Sequence, residues 1–298
     1  MNCKICKTLN ETIKYKLRNA NVIICNHCGF HYSNYLDPPQ DNSKMPVDTE
    51  PSLEIQSYLS NQLQYNKKRF EKHAALVKKH LEGNTKSKIL DVGCGGGLYL
   101  SLMHSEETEC YGIEPELNRL NYAKKISGLK HIVPYPIDSE YWLTNHANSF
   151  DVITLWDVIE HVNDPALIFS SAKQLLKKNG ILIIDTPCRD TFFHKFGEWT
   201  YKLSFGRFPT FLNIMYSDHL FGHKQIISKT DFNIPLKINH YELHHLQLIK
   251  EFTFPIKFYL EKLHFPKLFI AFFAGTISYL LDFLPIKNKL LMIAGLKN

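Results

Sequence analysis

Asp91-Val92-Gly93-Cys94-Gly95-Gly96-Gly97 sets an acid and three alternating glycines directly behind the apolar run Ile89-Leu90. Glycine tolerates positive φ and lets a ligand approach the backbone without a Cβ in the way, so the stretch has the form of a nucleotide-binding turn between a strand and a helix. A G-x-G-x-G turn alone is a weak signal, and its neighbours carry the reading. Tyr111-Gly112-Ile113-Glu114 is a second short apolar run ending in an acid. A Rossmann-type site places a carboxylate about 20 residues after the loop, where its two oxygens can accept from both ribose hydroxyls. A P-loop would need Lys-Ser or Lys-Thr after Gly97, and neither is there. The acid ahead of the first glycine suits a cationic amino-acid ligand better than a pyrophosphate. A third run, Phe150 to Val162, contains Trp156-Asp157-Val158-Ile159-Glu160-His161. An aromatic face and a carboxylate both suit a nearby cation, and imidazole can exchange a proton near neutrality.

A second set of chemistry-bearing residues lies near the N-terminus. Cys3-Lys4-Ile5-Cys6 and Cys25-Asn26-His27-Cys28 are two C-x-x-C knuckles at zinc-ribbon spacing. Four thiolates close a tetrahedral structural site, which leaves His27 a bystander and no open position for activating water. The ion would staple a module too small to carry its own core.

The elements that must hold these residues follow from patterning. Lys14 to Leu17 and Val22 to Ile24 read as hairpin strands of a ribbon over residues 1–36, and the Pro, Asp, Asn and Ser content of 37–51 marks a linker. Residues 52–86 read as one or two helices, with Ser52 as cap and Phe70, Ala74, Val77 and Leu81 on one face. Strands are predicted at Lys88–Val92, Glu109–Ile113, His131–Tyr135, Asp151–Leu155, Gly180–Asp185, Leu246–Phe252 and Lys289–Gly295, with helical patterns between the first five. Alternating units of this kind give a parallel sheet with helices on both faces, whose ligands bind beyond the carboxyl ends of the strands.

Taken jointly, the Asp91–Gly97 loop, Glu114 and the Trp156–Pro165 segment resemble the class I S-adenosylmethionine-dependent methyltransferases, in the group that contains the ubiquinone-biosynthesis O-methyltransferases. The resemblance covers residues 86–298, the methyltransferase domain beginning at 87. It implies an α/β fold with a Rossmann-like, doubly wound, seven-stranded sheet whose last strand is antiparallel. It implies S-adenosylmethionine as cofactor, with Asp91, Gly93, Cys94, Gly95 and Gly97 around its amino-acid end, Glu114 on the ribose, Ile137 and Asp138 at the adenine, and Trp156 beside the methyl group. Asp157, His161 and His219 are its catalytic candidates, the two histidines as alternative general bases. An insertion over about 188–222 would form a substrate lid ending at His219, with at least half of its aromatic side chains packed on the body. Tyr65 and Arg69 on the pre-domain helix either touch the methionine carboxylate or stand exposed.

Length and composition agree. The chain has 298 residues, 44% of them hydrophobic, enough for one full α/β domain and a small module. A net charge of +6 permits anionic partners without requiring nucleic acid. Seven cysteines, four of them in tight pairs, fit a reducing compartment and structural Zn²⁺ better than a disulfide framework, and Met1-Asn2-Cys3-Lys4 begins no apolar signal region. A cytoplasmic enzyme is therefore expected, methylating a small molecule, sugar or lipid-linked glycan, at oxygen. The apolar segment 266–285, interrupted by Asp282 and flanked by lysines, either packs on the sheet or rests on a membrane face. Two rival readings are a zinc-ribbon RNA methyltransferase, disfavoured by the absence of an Asn-Pro-Pro-Tyr-like base-reading motif, and a non-catalytic cofactor-binding scaffold.

Overall fold

The computed structural model describes residues 2–36, 50–216, 223–251 and 287–297. His219, most of the 37–51 linker and the 266–285 segment lie outside the described residues. No helix among those described is long and apolar enough to cross a membrane.

The N-terminal module is a three-stranded antiparallel sheet, β1 (Glu11–Lys16), β2 (Asn21–Cys25) and β3 (His31–Ser33). The first two are the expected hairpin. The third is too short to show a period in sequence, and all three of its residues are buried.

A single helix, α1 (Leu53–Leu81, 29 residues), follows. Ser52 caps it by accepting from the amide of Ile55, and Ala74 and Val77 bury its apolar face against the sheet's helical layer. The main sheet runs β6-β5-β4-β7-β8-β10-β9, built from β4 (Ser87–Val92), β5 (Thr108–Ile113), β6 (Ile132–Val133), β7 (Phe150–Trp156), β8 (Leu176–Pro187), β9 (Tyr241–Ile249) and β10 (Lys289–Leu296). The neighbouring pairs from β6 through β8 are parallel, while β10 is antiparallel to both β8 and β9, which is the doubly wound, seven-stranded arrangement expected. β9 begins earlier than its sequence pattern suggested, because its first half, Glu242 to His245, alternates poorly and is exposed.

The order reverses between β4 and β7, so a crevice opens at their carboxyl ends. The helices between strands are α2 (Leu98–Met103), α3 (Leu117–Ser127), α4 (Glu140–Asn145) and α5 (Pro165–Leu175). α5 starts on Pro165 with Asp164 capping the amide of Leu167. Beyond β8 come α6 (Phe192–Leu203) and α7 (Thr210–Tyr216), in the segment expected to form a lid, then α8 (Asn233–Ile238).

Two apolar cores sandwich the sheet. One combines α1, α2 and α3 with its first face; the other lies under α5 and α8 and is continuous with Cys3, Ile5, Ile23, Cys25, Phe30 and Tyr32 of the ribbon. The ribbon shares a core with the catalytic domain rather than hanging from a linker. A third cluster, Tyr15, Val22, Leu212, Tyr216 and Ile226, seals it to α7.

Candidate active site

The glycine loop leaves β4 at the switch point. Gly93, Gly95 and Gly97 have φ of 72°, 54° and 76°, the left-handed region where a side chain is strained. At Gly93 the space is closed as well, since a Cβ would lie 2.6 Å from a methyl of Val158. Loop and β5 are tied together by Gly93 N and Cys94 N donating to Ile113 O, at 2.8 and 2.9 Å. Glu114, 5% exposed, accepts from Gly95 N and from Glu116 N, both at 2.9 Å. Burial raises its carboxyl above the usual range, against the pull of those amides. One carboxylate thus sits on the loop's own backbone at the end of β5, with further lone pairs for a ribose.

Other loop residues serve beneath the surface. Asp91 is 2% exposed and accepts from Thr154 Oγ1 at 2.7 Å, with burial pushing its carboxyl up to about 8. It braces β4 against β7 directly beneath the loop. Cys94 is buried, with its sulfur toward Gly112, and is a packing residue among the loop amides. Ile137 is buried and Asp138 exposed in the turn that follows β6. The long stretch that follows is α4, anchored by Trp142, whose indole donates to Tyr135 O at 3.0 Å.

Trp156 ends β7 with its ring engaged from α1 and α2. Its ring stacks on His73 of α1, centroids 4.0 Å apart, and meets Tyr99 edge-on, so its faces belong to the core. Asp157 holds a left-handed φ of 56° and pairs with Arg69 Nη1 at 2.7 Å and Lys289 Nζ at 2.6 Å. Arg69 is neither an exposed helix charge nor a free ligand contact. It lies buried in a network with Asp157, Asp185 and Glu251, shared with Lys289 and His73. Against desolvation, Arg69 and Lys289 hold Asp157 below the carboxylate range, and the His73 hydrogen bond with the same two cations does so for Glu251, while desolvation pushes Asp185, the deepest acid, up to about 7. Burial lowers His73 below its ordinary value, against the pull of Glu251. Two cations thereby face two full carboxylates, and the network is close to charge balance. His73, Asp185 and Glu251 could by distance share a metal ion, but Arg69 and Lys289 already supply the positive charge there. Sequence reasoning missed Asp185, Glu251 and Lys289; an acid ending the apolar run Ile181 to Ile184 was the available signal.

Across the crevice, Glu160 is fully buried and accepts from Thr186 Oγ1 at 3.0 Å, its other oxygen having no hydrogen-bond partner among the described residues. Desolvation first, and the nearby Asp157 charge second, raise its carboxyl well above the ordinary range. His161 beside it is exposed and lies 5.1 Å, centroid to centroid, from the ring of His223. Glu160, His161 and His223 bring one ligand atom each within 4.8 Å of the others, close enough for a shared cation or a shared proton. Burial lowers His223 to about 3, so it stays neutral, and His161 is the group facing solvent. The lid above departs from expectation: Phe192, Trp199, Phe205, Phe208 and Phe211 are exposed rather than packed on the body. Tyr65 is likewise exposed.

At the ribbon, Cys3, Cys6, Cys25 and Cys28 converge, with Sγ···Sγ separations of 3.6 Å for Cys3–Cys28 and for Cys6–Cys25. Zinc–sulfur bonds of about 2.3 Å at a tetrahedral centre put the sulfurs about 3.8 Å apart, so the four thiols fit Zn²⁺. His27 is not among them.

Comparisons with known proteins agree with this geometry. A family model described as a methyltransferase domain matches residues 65–232, more than half of the chain. A ubiquinone biosynthesis O-methyltransferase of Pasteurella multocida is 37% identical over 122 residues, 37% of this chain and 50% of that protein; the chain thus spans about half the length of such relatives. Among solved structures, phosphoethanolamine N-methyltransferase 2 of Haemonchus contortus, in complex with S-adenosyl-L-methionine, superposes with a TM-score of 0.52 at 16% identity, over 76% of this chain and 53% of that one. Geranyl diphosphate C-methyltransferase of Streptomyces coelicolor gives 0.50 at 14% identity, over 76% and 78%. These three act at oxygen, nitrogen and carbon by name, so the shared fold leaves the acceptor atom open.

Proposed function

This chain belongs to the methyltransferase-domain family, and from that premise we propose that it transfers the methyl group of S-adenosylmethionine to a hydroxyl of a small molecule, sugar or lipid-linked glycan. The observation that carries the reading is the Glu114 carboxylate seated on the Gly95 amide beside a Cβ-free loop, at the switch point of the sheet. Asp138 and Ile137 border the adenine end. When bound, the cofactor supplies a methyl group on a cationic sulfur, whose departure needs no proton. What the chain must then do is align the acceptor and take its proton. His161, exposed at the rim and backed by neutral His223, is the general base of this proposal, and Asp157 supplies the nearby negative charge. His219 stays the alternative base.

The ribbon's cations support a small acceptor over RNA. Lys7 pairs with Asp164 at the surface, Lys14 pairs with Glu198, and Lys4 is buried against the Tyr32 ring, so three of its cations already have partners within the chain. Titration calorimetry with S-adenosylhomocysteine tests the cofactor half. Glu114→Gln keeps the shape while removing the charge and one acceptor, and should weaken binding by about tenfold or more. Unchanged affinity would overturn the site assignment. For the acceptor half, transfer of labelled methyl to hydroxylated small molecules should stop in His161→Gln, and no label should enter RNA.

A further inference from the structure

The ribbon and the Glu160–His161 turn lie on opposite sides of one short strap, Lys224-Gln225. On the ribbon side, Ser33 N donates to Lys224 O at 2.6 Å, and Tyr32 forms a β-bridge with Gln225. On the other side, the amides of Lys224 and Gln225 both donate to Glu160 O, at 2.8 and 3.3 Å. The Gln225 carboxamide donates to Ile159 O at 2.5 Å and to Val162 O at 2.9 Å, and Lys224 Nζ donates to His161 O. Four consecutive carbonyls, Ile159 to Val162, therefore find partners in two strap residues. Buried backbone acceptors need such partners, and this turn is not a regular helix that could supply them itself. Gln225 is fully buried, and only its NH₂ group can face two carbonyls, which fixes the amide's orientation.

The strap's other anchor is short and stiff. β3 follows Cys28 after two residues, Gly29 and Phe30, and Phe30 O accepts from Cys25 N at 3.0 Å. The thiol cluster, β3, the strap and the turn are thus joined by consecutive backbone hydrogen bonds. The lid is bound into the same unit: Tyr15 OH donates to Glu198 at 2.5 Å, and Arg18 N donates to Asn213 Oδ1 at 3.0 Å.

We propose that the ribbon is a positioning element of the transfer site, acting through Gln225 to set the Glu160–His161 turn on the acceptor side while leaving the cofactor side untouched. This rests on the methyl-transfer reading. Gln225 is a positioning residue, since it reaches the reacting groups only through the turn. The separation of the two sides is one of hydrogen bonding: Glu114, the glycine loop and β5 share none with the strap among the described residues, and Gly93 packs on Val158, ahead of the four carbonyls that the strap holds.

The test compares wild type, Gln225→Glu, Ser33→Pro and zinc-stripped protein, all as the full chain. Gln225→Glu preserves shape and removes both donors; Ser33→Pro removes the ribbon's donor to the strap and serves if the first variant fails to fold. The readouts are the His161 ring resonance in ¹³C-histidine-labelled protein, assigned with His161→Gln, amide exchange over 157–163, and S-adenosylhomocysteine affinity. Each perturbation should move the His161 resonance and speed exchange by about tenfold, with cofactor affinity held within about threefold. An unmoved resonance and unchanged exchange in the folded variants would overturn the proposal, as would a parallel loss of cofactor affinity. If wild type itself fails to bind S-adenosylhomocysteine, the methyl-transfer reading falls instead.

Discussion

On the β4–β5 side of the crevice, Glu114 reaches the Gly95 amide across 19 residues of chain, whereas on the β7–β8 side Asp157 is held by Lys289 from 132 residues away. The first side is built from backbone geometry: left-handed glycines, loop amides and one acid at a strand end. The second is built from long-range side chains, with the Arg69 network below, the Gln225 strap beside it, and the ribbon and lid above. A cofactor common to a family can be gripped by a local motif. An acceptor peculiar to one protein is met by surfaces that distant segments must assemble.

The comparison can be broken most sharply at Arg69. Arg69→Met would leave buried Asp185 and the half-buried Asp157 and Glu251 facing Lys289 alone, and breaking a buried ion pair from one side costs about 3–5 kcal/mol. Chemical denaturation should show that loss; a change near zero would mean that the network is not what holds Asp157. At the ribbon–lid seam the expected effect is smaller and depends on pH. His31 and His194 are 2% and 1% exposed, and burial is the main cause that keeps both neutral, His194 lowered to about 4 and His31 further still, beside Arg189 and Lys14. The unfolded chain protonates them near 6.5, so it binds more protons than the folded one between that value and about 4. The seam's stability is therefore complete above about pH 6.5 and declines as pH falls through that window, by about 2 kcal/mol at pH 5 for one such histidine. Amide exchange over α6 and α7 between pH 7 and 5 measures this, with β4 and β5 as the internal reference. Tyr15→Phe is the mildest probe. It removes the Tyr15–Glu198 hydrogen bond, worth about 1–2 kcal/mol, and should loosen α6 without changing S-adenosylhomocysteine affinity. Equal loosening on both sides of the crevice would abolish the distinction.

Legibility followed the same division. The left-handed loop and its contact with Glu114 were readable because the spacing is local and the glycines declare their own backbone conformation. The thiols were readable for a similar reason, since each knuckle presents two ligands within four residues. The stacking of Trp156 on His73 was not readable, because its position at the end of β7 is a matter of sequence whereas its ring neighbour comes from α1. Arg69 looked like a helix charge because nothing local shows that three acids from later segments surround it. Gln225 carried no signal at all: a glutamine after a lysine is ordinary until its amide meets Ile159 and Val162.

By itself, the sequence determined the parallel sheet, the cofactor loop and the fourfold thiol cluster, because period, glycine φ and short ligand spacing act within a few residues. Only the tertiary structure decided that the ribbon shares the catalytic core, that β3 exists, and that the Glu160–His161 turn hangs on a strap anchored in the ribbon. Those outcomes depend on which buried charges and carbonyls find partners, and the partners come from residues that only folding brings together.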